Sequence, residues 1–77
     1  MKAEKRHCEK VLSLALDLGK SMVKCGAEVN RVEETVIRIC YAYGMEKAQV
    51  FSVVSMIHAT VVDEESGAHT QMRRIYS

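Results

Sequence analysis

At Gly44 the spacing of apolar residues changes from a helical period to strict alternation, and this switch constrains the fold more than any other feature. Before it, Cys8, Val11, Leu12, Ala15, Leu18, Gly19 and Met22 recur three and four apart, with Lys5, Glu9, Asp17, Lys20 and Lys24 mostly elsewhere. That stripe predicts an amphipathic helix over about residues 4–25. Gly26 after Lys24-Cys25 is a stop signal, and a cation in the last turn suits the helix dipole. Ala15 and Gly19 would let another element approach closely. A second helix, about residues 30–43, is predicted from the apolar face of Val29, Val32, Val36, Ile39, Cys40 and Tyr43, with Gly44 ending it. Asn30 with Glu33 resembles a capping box, and Glu34 stands in the favourable order four residues before Arg38. The short link around Gly26-Ala27-Glu28 makes the pair an antiparallel hairpin.

After Gly44, Gln49 to Val54 is rich in β-branched residues, and strands are predicted over about residues 48–54, 56–62 and 68–76. Asp63-Glu64-Glu65-Ser66-Gly67 reads as a solvated hairpin loop. In the second strand Met56, His58, Thr60 and Val62 share one face, opposite Ile57, Ala59 and Val61. The fold class is therefore α+β: an N-terminal antiparallel helical hairpin packed on a three-stranded antiparallel sheet, in the order ααβββ. Such a sheet has two edges, and the chain stops at Arg73-Arg74-Ile75-Tyr76-Ser77 with no capping element. The expectation is a homo-oligomer joined by edges or faces, a fragment of a longer protein, or both.

Seventy-seven residues allow a single domain that buries only about 60% of its unfolded surface. A formal charge of +1, no Trp and a single Phe argue against nucleic acid as a partner, which wants a basic stripe and aromatic platforms. Val50 to Val62 is interrupted by Ser52, Ser55, His58 and Thr60 and is too short to span a bilayer, so the chain reads as soluble. Cys8, Cys25 and Cys40 are too few and too scattered for a disulfide framework, which favours a reducing compartment.

The chemistry of single residues is sparse. Cys8 and Cys25 lie ~25 Å apart along one helix at 1.5 Å per residue, so no metal site is expected, and no cofactor. The cysteines read as buried or half-buried thiols. Cys25 as a nucleophile with His58 is disfavoured, because a helix C-terminus raises a thiol pKa. A Glu28–Glu33 carboxylate pair likewise lacks an orienting group, so no enzyme is expected. His58 is a candidate pH-responsive residue on its strand. The densest polar cluster gathers Glu28, Arg31, Glu33 and Glu34. It is either a solvated helix start, with Glu34 pairing to Arg31 or Arg38, or a ligand or interaction surface. Arg73 and Arg74 could join that surface and hold a carboxylate, or guard an edge strand.

Two stretches carry a resemblance: Ala15-Leu16-Asp17-Leu18-Gly19-Lys20, and Cys25-Gly26-Ala27-Glu28-Val29-Asn30-Arg31-Val32-Glu33-Glu34-Thr35. With Ala42-Tyr43-Gly44, Val50-Phe51, the acidic turn at Asp63 to Gly67 and Thr70…Arg73-Arg74-Ile75, the chain resembles the N-terminal domain of the threonine/serine exporter family over about residues 11–76. It departs from that pattern at Cys25, where Ser is usual, and at Asn30, where an aromatic is common. It also lacks a Thr-Pro-Thr-Gly-like turn between Ser52 and Met56. The resemblance implies a cytoplasmic domain, at the inner side of the cell membrane, of a transporter that exports small polar metabolites using an ion gradient. The implied role is regulation, assembly or coupling, with the transmembrane portion or a second subunit as partner and an amino-acid-like ligand as an option. The alternative is a free-standing dimeric module that binds a small ligand or partner, and a small hydrolase is the third reading.

Overall fold

The computed structural model describes residues 5–53 and 55–76. Two helices, α1 (Lys5–Lys24) and α2 (Val29–Ala42), precede three strands, β1 (Lys47–Val53), β2 (Met56–Asp63) and β3 (Gly67–Arg74). The strands form an antiparallel sheet in the order β1-β2-β3, so the fold is the expected ααβββ arrangement of α+β class. Glu4 and Val54, which the sequence places at the start of α1 and the end of β1, lie outside the described residues. β3 stops short of the expected residue 76 because β2 begins at Met56, paired with Arg74. Beyond it, the Ile75 N–H donates to the Ser55 carbonyl at 2.8 Å.

The middle strand supplies the floor of the core. Ile57, Ala59 and Val61 of β2 are buried under Cys8, Val11, Leu12, Ala15 and Leu16 of α1 and Val32, Val36 and Cys40 of α2, with Met45 closing one end. The alternation in β2 is strict, and Met56, His58, Thr60 and Val62 point to the face away from the helices. Gly19 lies where α1 crosses α2 and β2: a Cβ there would stand 3.0 Å from Val36 Cγ2 and 3.1 Å from Ile57 Cδ1. The small residue is what lets the three elements meet.

The helix hairpin turns at Gly26, whose φ of 87° is a conformation that only glycine adopts without strain. The Gly26 and Ala27 N–H groups donate back to Val23 and Met22, satisfying carbonyls at the end of α1.

Three expectations are corrected. Glu28, not Asn30, is the N-cap of α2, with no side-chain capping bond. Glu33 is drawn instead to an N–H of β1. Leu18 is 45% exposed whereas Leu16 is fully buried, because the α1 stripe runs through 8, 11, 12, 15, 16 and 19. Tyr43 is also exposed, and with Leu14, Leu18 and Ile39 it borders an apolar groove of about 400 Å³ between the helices.

Candidate functional site

The predicted site residues divide among four places. Glu28, Arg31 and Glu34 stay together on the outer side of α2, where with Asn30, Thr35 and Arg38 they line a shallow polar recess of about 290 Å³. Helical spacing does this: residues three and four apart share one face. Glu34 takes Arg38 at 2.7 Å, the i,i+4 choice of the two pairings open to that carboxylate. Among the described residues Arg31 has no ion-pair partner, and its carbonyl accepts the Thr35 hydroxyl at 2.8 Å. The recess thus offers an unpaired guanidinium with the Glu28 carboxylate nearby, groups that suit the carboxylate and ammonium of a zwitterion.

Glu33 turns the other way. Its Oε2 accepts the Ser52 N–H at 2.8 Å, so it fastens α2 to β1. Arg73 faces the helices from β3, donating to Asp17 Oδ1 at 3.0 Å, to Ser13 Oγ at 2.7 Å and to its neighbour's carbonyl on Met72 at 3.1 Å. Arg74 is exposed on the opposite face of the sheet, in register with Met56. Neither arginine joins the α2 recess. His58 lies on that same outer face, directly between Phe51 of β1 and Met72 of β3. Phe51 is 58% exposed and Met72 46%, so His58 sits in an apolar row open to its surroundings.

Sequence reasoning missed a polar cluster at the β2–β3 turn. Asp63 is buried rather than solvated, since the alternation of β2 carries it to the helix side. Its Oδ2 accepts the N–H groups of Glu65 and Ser66, at 3.2 and 3.1 Å, and the Ser66 hydroxyl at 3.1 Å. The backbone bond from Ser66, with smaller help from its hydroxyl, the Glu65 N–H and the His69 charge, holds the Asp63 carboxyl below its ordinary value against the opposing effect of desolvation. Ser66 Oγ is also 2.9 Å from Nε2 of the buried His69 and 3.5 Å from Cys8 Sγ. His69 Nδ1 stands 3.9 Å from Glu9 Oε2, beyond hydrogen-bond range. A serine–histidine contact invites comparison with a nucleophile and its base. Here the serine hydroxyl is shared with Asp63, and the two nearest N–H groups are spent on the same carboxylate. What the arrangement does is lock the turn. An Asp three residues before a Ser-Gly pair was the signal that could have revealed it.

Cys8 and Cys40 are buried, and burial pushes the Cys40 thiol up; Cys25 is exposed, contrary to the expectation of buried or half-buried thiols. Among the described residues no His, Cys, Asp and Glu group could hold a metal ion. Nor is any described helix long and apolar enough to cross a membrane.

An α+β unit with a polar outer helix face and an uncovered sheet face is the class that these observations define. The family model described as "Putative threonine/serine exporter" matches residues 13–77, and the chain belongs to that family. No curated protein matches significantly. No solved structure does so either.

Proposed function

We propose that this chain is a regulatory, assembly or coupling domain of a threonine/serine exporter-like membrane transporter, working on the cytoplasmic side without a transport or catalytic step of its own. The supporting observation is that the family match covers nearly the whole ααβββ unit, whose described helices include none suited to spanning a bilayer. The surface assigned to the role is the α2 recess, with Glu28, Arg31 and Glu34 meeting an amino-acid-like ligand or the transmembrane portion. The test replaces Glu28 and Arg31 by Ala in the full-length gene product and measures threonine and serine export from cells. Reduced export at normal membrane abundance is expected; unchanged export overturns the reading. A second reading, a free-standing dimeric module that binds a small ligand or partner, draws on the exposed apolar row of Phe51 and Met72.

A further inference from the structure

An outer strand presents a row of backbone groups with no ladder partner, ready to pair with another chain. The two edges of this sheet differ. Along β1, α2 takes up two backbone N–H groups: Ser52 N–H donates to Glu33 Oε2 at 2.8 Å and Ala48 N–H to Tyr41 Oη at 3.4 Å. Along β3, among the described residues, no side chain takes a backbone N–H. Among the described residues the one side-chain claim on that strand's backbone is the Arg73 guanidinium on the Met72 carbonyl. Nor is its middle guarded by charge. Residues 68–72 include no carboxylate, ammonium or guanidinium, and His69 is turned under toward the helices. Charge gathers at the two ends instead: the exposed Glu64 in the turn before β3, and the exposed Arg74 at its finish.

We propose that the β3 edge takes up a second copy of this chain, β3 against β3 and antiparallel, about a two-fold axis passing by Thr70. The axis pairs Met72 with Ala68 of the second copy, and Arg74 with Ser66 of the second copy beside its Glu64. Antiparallel pairing brings the basic end of each strand to the acidic turn of the other, so the match is made twice. Directly opposed residues share a face, so both helix pairs lie on one side of a continuous six-stranded sheet. Stacking the outer sheet faces together has no such complementarity, because the charged groups there, Lys47 and Arg74, are both cations. The dimer goes beyond the transporter reading and stands independently of it.

Sedimentation equilibrium of the whole chain is the first test, with a concentration-dependent dimer expected. Arg74→Glu and Glu64→Arg should each weaken it about tenfold, since both symmetry-related pairs turn repulsive. The combined Glu64→Arg/Arg74→Glu variant restores attraction and should recover the parent affinity. Both sites are exposed, and circular dichroism checks that the variants fold. In a Cys25→Ala background, Thr70→Cys should give a disulfide-linked dimer on mild oxidation, because opposed Cα atoms at such an axis are ~4.5–5.5 Å apart. A monomer at every concentration overturns the proposal. So does a dimer indifferent to the charge variants, or one that Thr70→Cys fails to link.

Discussion

The carboxylate of Glu33 holds the backbone N–H of Ser52 at 2.8 Å, and through that bond a helix residue does the work of a missing neighbour strand. β1 is an edge, and an edge N–H buried under a helix without an acceptor would cost about 1–3 kcal/mol. The bond thus explains why an acidic residue faces inward at the start of α2, where helical spacing alone would leave it in solvent.

Removing that acceptor should be costly. Glu33→Ala leaves the Ser52 N–H without its partner, and a loss of about 1–2 kcal/mol is expected in urea unfolding. Glu33→Gln keeps a carbonyl oxygen at the same reach and should lose less. If Glu33→Ala unfolds at the parent's urea midpoint, the bond has no bearing on stability.

Ser52 itself should behave in the opposite sense. It is 3% exposed, and among the described residues its Oγ has no hydrogen-bond partner. A buried hydroxyl without a partner is a desolvation cost that a methyl group does not carry. Ser52→Ala should therefore raise stability by up to about 1 kcal/mol while the N–H bond to Glu33 persists. A lower urea midpoint would show that the hydroxyl is engaged after all.

These two residues also show what the sequence could disclose. The period change at Gly44 and the alternation of Ile57, Ala59 and Val61 carried the element order and the buried face of β2, because apolar burial is written as spacing. β3 has no such alternation. Its helix-facing positions are His69, Gln71 and Arg73, kept polar because α1 meets them with polar partners: the Glu9 carbonyl for Gln71 at 3.0 Å, and Asp17 and Ser13 for Arg73. A polar strand face matched by a polar helix flank leaves no periodic trace. The candidate site was legible only where it is local. Glu28, Arg31 and Glu34 share a helix face by spacing, whereas the departures of Glu33 and Arg73 follow from tertiary partners at 19 and 56 residues' remove.

The crossing at Gly19 sets two effects against each other. Alanine is a better helix former than glycine by about 1 kcal/mol. Its methyl group, however, would press at once on Val36 and Ile57, at 3.0 and 3.1 Å. Val36 is β-branched and fixed by its own helix, so it cannot swing aside, and crowding a packed core costs about 1–3 kcal/mol. Gly19→Ala is expected to be net destabilising by about 1 kcal/mol. The Gly19→Ala/Val36→Ala double variant should lose less than the sum of the two single losses, a non-additivity that a double-mutant cycle reads directly. A Gly19→Ala protein more stable than its parent would mean that α1 can rise off α2 at little cost.

Acid should act through Asp63. Its folded carboxyl lies below the ordinary value, chiefly because the Ser66 N–H donates to it. The unfolded chain therefore takes up the proton first as the pH drops, and the native state is penalised. The stabilisation is complete above the unfolded carboxyl value near 3.8 and disappears as the pH falls through the lower folded value. Asp63→Asn cannot titrate. The variant should be less stable at neutral pH, because an amide oxygen is a weaker acceptor for the N–H groups of Glu65 and Ser66. Its stability should also fall less steeply in acid, so that the two proteins converge below the folded value. Urea midpoints from neutral pH downward measure both slopes, and parallel curves would show that the turn does not draw its stability from the Asp63 charge.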